Sequence, residues 1–389
     1  MEHVLLIGLS TRAAAGAAAH AGFTVTALDA FADLDQHPAV RAIALPRPSG
    51  AFTARAACYA ASSLAADAVA YLSPFENHPA LVRRLAANRA LLGNSAEVLR
   101  RVRDPVAVAG TFARHGFAAP LTVRESHAAA GHEAGWLLKP VASGGGTRIR
   151  EWLPASLPAG DSANAGSVPR RYYLQERIDG LAGSIAFVAA RGRAVPLGIS
   201  LQLTGDQAFA ADGYRYCGSI RLAPGDVFSD RTRAIATQLA DCAAREFGLV
   251  GLNGIDFIVR DEVPYPIEIN PRWSASMELA ERHEPGSAFA AHARACRDGQ
   301  LPGAASFDLP RGAPASGKAI AFATGHLVIG DTQSWLTDHW RHDIPRPGEQ
   351  IEAGQPICTV FAEGADAARC RAGLVARAAE VYRALQCAS

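Results

Sequence analysis

The stretch G-L-N-G-I-D-F-I-V-R-D-E-V-P-Y-P-I-E-I-N-P-R-W-S-A-S, residues Gly251–Ser276, decides the fold of this chain. Two apolar runs flank a turn at Arg260–Pro264, which predicts a β-hairpin. Asp256 lies at the start of the first strand; Glu268 and Asn270 lie on the second. Residues two apart on a strand point to one face, so Glu268 and Asn270 share a face. Hairpin pairing brings Asp256 alongside them. Two carboxylates and an amide oxygen suit Mg²⁺, which prefers hard oxygen ligands and keeps substrate phosphates in its shell. Arg272, two residues on, can clamp a phosphoryl or carboxylate group. The competing reading is a salt-bridged hairpin edge. An apolar strand that buries both Glu268 and Arg272 argues against it.

Upstream, Trp136–Ile149 reads W-L-L-K-P-V-A-S-G-G-G-T-R-I. An apolar strand ends at Lys139, and Ser143 with Gly144, Gly145 and Gly146 forms a loop before a second short strand. Adjacent glycines let backbone N–H groups approach an anion closely. A lysine at the strand end adds a flexible point charge suited to phosphate. This is not a Walker A loop, because no G-K-[ST] follows and no helix opens. A flexible hairpin tip beside an incidental lysine is the plainer alternative. Between the two clusters, Tyr172–Gly180 (Y-Y-L-Q-E-R-I-D-G) is an apolar strand, a polar pair and a turn. Its extended backbone offers N–H and C=O groups to a purine edge; by itself it is an ordinary strand end.

The chain has 389 residues, with 38 Lys+Arg against 37 Asp+Glu. That balance gives no basic excess for a polyanion, so no nucleic-acid partner is expected. Only Lys139 and Lys318 are lysines; arginine carries the remaining positive charge. A lysine that persists in such a background draws scrutiny. The length predicts two or three domains. Seven cysteines without C-x-x-C spacing exclude a zinc or disulfide framework and predict reduced, buried thiols, Cys358 among them. The N-terminal apolar run is too short to span a membrane, and no later segment reaches eighteen apolar residues without a charge. A cytoplasmic protein with no membrane partner is expected.

Over residues 1–100, short apolar strands at Val4–Gly8, Phe23–Leu28, Ala42–Leu45 and Asp67–Tyr71 alternate with helices, which predicts a doubly wound parallel sheet. The turn after the first strand has only a loose glycine pattern, so a plain strand-to-helix turn is favoured over a dinucleotide site. Asp29, after the second strand, could contact a ribose, although acids at strand ends are common. Residues 81–116 read as helices. From 121 to 275 strands dominate, with one strong helix at about 230–247. Residues 158–170 form a polar loop, and 302–317 resembles a linker in its Pro/Gly/Ala content. Beyond it, 318–362 is β-rich and 365–386 is an amphipathic helix. Tyr214–Gly218 reads either as a substrate-facing segment or as a strand-end loop. His326, Asp338, His339 and His342 are too irregularly spaced for a metal site and read as solvated loop residues.

K-P-x-x-S-G-G-G, L-Q-E-R-I-D-G and D-F…E-I-N-P-R, in this order and spacing, resemble the ATP-grasp superfamily. The N-terminal region resembles its pre-ATP-grasp domain, and Gly8–Asp35 resembles a subgroup of ATP-dependent carboligases related to biotin carboxylase. The resemblance covers roughly residues 1–300. It implies a mixed α/β and α+β chain with an ATP-grasp fold. Residues 1–100 would form a Rossmann-like, doubly wound domain, and 101–305 the ATP-grasp lobes. Residues 306–389 would form a small C-terminal β-rich domain with a terminal helix.

The resemblance also implies roles. Lys139 would contact the α- and β-phosphates of ATP, and Ser143 with Gly144–Gly146 would close over them. Gln175, Glu176 and Ile178 would hold the adenine. Asp256, Glu268 and Asn270 would hold Mg²⁺ (or Mn²⁺), and Arg272 would stabilise an acylphosphate. Two positions depart from the family. Ala182 stands where a ribose-binding acid is common, which leaves Asp179 as a substitute. Arg103 stands in for a second phosphate-binding lysine.

The implied reaction is ATP-dependent joining of a small-molecule carboxylate and an amine, in a possible homodimer and loosely within one-carbon cofactor biosynthesis. Biotin-carboxylase-like carboxylation is the nearest rival. There the pattern continues with a Gln and a catalytic Glu, where this chain has Ser274 and Ser276; Glu278 would be an imperfect substitute. The chain also has no Met-Lys-Met carrier motif. A non-catalytic ATP-binding module is the third reading, disfavoured by the intact Asp256, Glu268, Asn270 and Arg272 set. Lys318 is expected to be a surface residue.

Overall fold

The computed structural model describes residues 1–45, 52–124, 135–152, 168–282 and 286–386. The N-terminal strands pair as expected. A five-stranded parallel sheet runs in the order Val40–Ala44, Thr24–Asp29, His3–Ile7, Ala68–Tyr71, Ala90–Leu92. The fifth strand falls inside the segment expected to be helical. It is only three residues, A-L-L, and Ala and Leu favour helices. Pairing with Ala68–Ala70 overrides that preference.

The glycine-loop strand Trp136–Pro140 lies in a four-stranded antiparallel sheet, between Tyr172–Glu176 and Arg150–Glu151. Trp136, Leu138, Trp152 and Leu174 give this small lobe its own core. Residues 158–167 of the expected polar loop lie outside the described residues.

The third sheet has eight strands, ordered Val263–Asn270, Gly251–Arg260, Leu181–Ala190, Arg193–Thr204, Tyr216–Arg221, Ala315–Phe322, Pro356–Gly364 and Arg341–His342. The hairpin predicted for Gly251–Ser276 is its first pair, with Asp256 opposite Glu268 and Gly254 opposite Asn270. The helix expected at about 230–247 is Asp230–Phe247. Ser229 caps its start by accepting the Thr232 N–H, and Gly248 ends it at φ +67°. Its apolar stripe packs into the main core with Ile185, Phe187, Phe257 and Ile269.

The β-rich C-terminal region is present, but its long strands extend this same sheet. Ala315–Phe322 pairs with Tyr216–Arg221 across the boundary expected at 305/306. The linker expected over 302–317 therefore ends early, at Ala315. The terminal helix, Ala367–Gln386, packs on Ala315–Phe322 and Pro356–Gly364. The N-terminal unit is also not separate. Leu6, Ala14 and Ala18 share a core with Val188, Leu252, Met277 and Phe289. Among the described residues no helix is long and apolar enough to cross a membrane.

Candidate active site

A cavity of about 290 Å³ opens between the four-stranded lobe and the eight-stranded sheet. Leu137, Lys139, Gly145, Gly146, Gln175, Glu176 and Ile178 line it from the lobe; Asp256, Glu268, Asn270 and Arg272 line it from the hairpin. Three clusters read from distant parts of the sequence thus face one space. A larger cleft, about 580 Å³, lies in the N-terminal unit beside Cys58 and Arg84 and contains none of the predicted residues.

The acid pair is set by strand register. Asp256 is buried. It accepts 2.8 Å from Gln202 Nε2 and 2.9 Å from Asn270 Nδ2. Burial and then the neighbouring Glu268 push its carboxyl up to about 7, against the pull of those two amides and Arg272. Two carboxylates held this close repel, and a divalent cation would relieve that repulsion. The chemistry of the pair therefore fits Mg²⁺ or Mn²⁺. The Asn270 amide oxygen accepts 3.3 Å from Arg272 Nη2.

Lys139 is buried and donates 2.9 Å to Gln175 Oε1. Gln175 Nε2 in turn donates to Thr122 Oγ1 at 3.3 Å. Gln175, expected at the adenine, thus also holds the lysine. Arg103 donates through Nη2 to Ser143 O at 3.2 Å, and its Nη1 lies 3.4 Å from Glu268 Oε1. It bridges the glycine loop to the acid pair. Ser143 and Gly144 line a small side pocket next to Arg103. Gly146 has φ +72°, and a Cβ there would overlap the Tyr214 carbonyl. Tyr216 N–H donates to Gly145 O at 3.1 Å. The loop is therefore docked on the strand Tyr216–Arg221.

Several expectations are not met by the geometry. Asp179 is exposed, pairs with Arg177 at 3.2 Å and does not line the cavity. Asp29 is fully buried. Its carboxylate accepts from the N–H groups of Thr11, Phe31 and Ala32 and from Thr11 Oγ1, so it braces a turn and is not open to a ribose. Lys318 is buried, not a surface residue, and pairs with Glu278. Glu278 also pairs with Arg12. Burial and the nearby Asp343 push Glu278 up, but Arg12 and then Lys318 outweigh them and hold it down at about 2. Glu278 does not line the cavity. The residues His326, Asp338 and His342 are separately paired, with Glu352, Arg341 and Asp35. No group of three or more His, Cys, Asp or Glu that could hold a metal occurs among the described residues.

The structure adds residues not singled out from sequence. Glu76 Oε1 lies 2.8 Å from Arg272 Nη2, and Asn77 Oδ1 accepts 3.1 Å from Arg103 Nε. The one available signal was their place just past the carboxyl end of a parallel strand, where α/β sheets present functional loops. Gln202 and Ser219 line the cavity as well, and so do Tyr214 and Tyr216 of the segment read from sequence as either substrate-facing or a strand-end loop.

The likeness to the ATP-grasp fold indicates a nucleotide-utilising enzyme. Residues 102–276 match the family described as ATP-grasp domain, and the fold is biotin-carboxylase-like. A biotin carboxylase from Campylobacter jejuni, solved as a β,γ-ATP complex, is similar at TM-score 0.70 and 16% identity, over 95% of this chain and 89% of that one. The biotin carboxylase domain of a Hydrogenobacter thermophilus 2-oxoglutarate carboxylase, solved with MgADP and bicarbonate, is similar at TM-score 0.68 and 14% identity, over 92% and 85%. An L-amino acid ligase from Bacillus licheniformis is similar at TM-score 0.65 and 15% identity, over 99% and 97%. At these identities the likeness is one of fold. An uncharacterized protein of Methanocaldococcus jannaschii is 32% identical over 117 residues, 30% of this chain. The chain matches only about a quarter of that relative, 27% of its length.

Proposed function

We propose that this chain transfers the γ-phosphoryl group of ATP to a carboxylate oxygen and passes the activated acyl group to a nucleophile. The observation that carries this is the opposition, across one cavity, of the Asp256–Glu268 pair to Lys139, with Arg272 on the same hairpin. Asp256, Glu268 and Asn270 would hold Mg²⁺, which when bound offsets charge on the phosphates. Lys139 and Arg103 place fixed positive charge at the phosphate end. Arg272 does the same at the acid end. In phosphoryl transfer such positioned charge is the main contribution a protein makes. The bond from the γ-phosphorus to the bridging oxygen breaks as the bond to the carboxylate oxygen forms. ADP leaves first. Inorganic phosphate leaves when the nucleophile attacks the acyl carbon.

The acid has two readings. In the first it is bicarbonate, and the reaction is a carboxylation. Biotin carboxylases recur among the structures of similar fold, and they back this reading better than amine ligation. In the second the acid is organic and an amine attacks it. The L-amino acid ligase supports that, as do Ser274 and Ser276 on the cavity wall. The diversion of Glu278 into an ion cluster leaves no glutamate at those positions.

The test is ADP release by the full chain with Mg²⁺ATP. One arm adds bicarbonate with candidate amine acceptors, and the other adds a panel of amino acids and amines. Products are detected by mass. Stimulation in the bicarbonate arm supports carboxylation, and stimulation by organic acids supports ligation. No stimulated release in either arm would count against the shared mechanism.

A further inference from the structure

Arg272 and Arg103 both stand beside the acid pair, yet each is held from behind by the N-terminal unit. Glu76 and Asn77 are consecutive residues in the loop after the strand Ala68–Tyr71. Glu76 is 1% exposed and takes Arg272 at 2.8 Å. Asn77 takes Arg103 at 3.1 Å, and its Nδ2 reaches Ser143 O at 3.5 Å. One dipeptide thus grips both guanidinium groups that flank Glu268.

A carboxylate buried this deeply is costly unless paired and hydrogen-bonded. Burial pushes Glu76 up, but Arg272, and then Arg103, outweigh it and hold it ionised. Its Oε2 nevertheless has no hydrogen-bond partner, and neither has Arg272 Nε. The pair is therefore not a fully satisfied structural bridge. The other anions nearest in charge to Arg272 are Glu268 and Asp256. Released from Glu76, the guanidinium would neutralise the two groups a divalent cation would use.

We propose that Glu76 is a positioning residue that holds Arg272 away from Asp256 and Glu268, keeping both carboxylates available to a divalent cation; Asn77 only orients Arg103, which already pairs with Glu268. This rests on the ATP-dependent reading above. It makes the N-terminal unit a working part of the metal–nucleotide site.

The test compares wild type with Glu76→Gln, which keeps the shape and an oxygen acceptor but removes the charge, and with Glu76→Asp. Mn²⁺ binding is measured by electron paramagnetic resonance with a non-hydrolysable ATP analogue. The Mg²⁺ dependence of ADP release is measured in parallel. Glu76→Gln is expected to weaken Mn²⁺ binding about 10- to 100-fold, the usual effect of losing an outer partner of a metal site. Excess Mg²⁺ should restore most of its turnover, and Glu76→Asp should fall between the two. Mn²⁺ binding within about twofold of wild type would overturn the proposal. So would a loss of turnover that no Mg²⁺ concentration repairs, which is the signature of a merely structural role. Where Glu76→Gln does not fold, Glu76→Asp carries the same test; an unaltered metal requirement in a folded Glu76→Asp would overturn it too. Wild type showing no metal-dependent nucleotide binding would sink the ATP reading itself, a result distinct from an unchanged variant.

Discussion

Lys139 donates to Gln175 at the end of its strand and supplies positive charge at one end of the cavity. Removing one such preorganised donor costs about 100-fold or more in turnover. Lys139→Ala should therefore fold and lose ATP use on that scale, measured by ADP release at matched thermal stability. Lys318→Ala should fail differently. It strips a buried partner from Glu278, and breaking a buried pair costs about 3–5 kcal/mol. The expected outcome is a lowered unfolding midpoint in urea, larger than any change Lys139→Ala produces. The scarcity of lysine drew attention to both residues, and the motif around Lys139 pointed to a role. Nothing local to S-G-K-A-I could show that Lys318 is buried. Its partner Glu278 lies 40 positions upstream and is itself paired with Arg12, in the first turn of the N-terminal helix. Charge pairs between remote segments leave no periodic trace in a sequence.

At the scale of elements, the glycine run makes the sharpest contrast. Gly146 needs a positive φ and has no room for a Cβ against Tyr214, whereas a Cβ on Gly144 would meet Ser73 Oγ at an ordinary 3.7 Å. Gly146→Ala should prevent the loop from docking and raise the ATP concentration needed for half-maximal turnover by at least tenfold; Gly144→Ala should change it by less than threefold. Equal effects at both positions would show that docking on Tyr216–Arg221 is not what the run provides. The hairpin carrying Asp256, Glu268 and Asn270 was legible because period two and a turn specify both face and partner. The strands Ala90–Leu92 and Tyr216–Arg221 were not. The first is too short to show any period. The second, Y-C-G-S-I-R, has neighbours on both sides in the sheet and shows no clean alternation.

At the scale of the molecule, Arg12, Asp35, Glu278, Lys318 and Asp343 join the N-terminal helix, the segment after the hairpin and the C-terminal strands. Glu278 sits at about 2 in the fold and near its ordinary value, about 4.5, when unfolded. A lowered carboxyl contributes stability above the unfolded value and loses it as pH falls toward the folded one. Glu278→Gln should therefore be less stable than wild type at pH 7. The gap in unfolding midpoint should close between pH 4.5 and pH 2. A gap that stays constant with pH would show that Glu278 acts by shape and not by charge.

The pairing of Ser219 with Lys318 sits at the seam between the ATP-grasp strands and the C-terminal region. Ser219 lines the cavity, and its strand neighbour Lys318 belongs to the ion cluster. The seam therefore restricts how this protein can be rearranged. A C-terminal region borrowed from another chain would have to reproduce the hydrogen-bond ladder from Gly218–Ala319 to Arg221–Ser316, and also place a cation opposite Glu278. Recombination at the linker-like stretch is open by composition and closed by register.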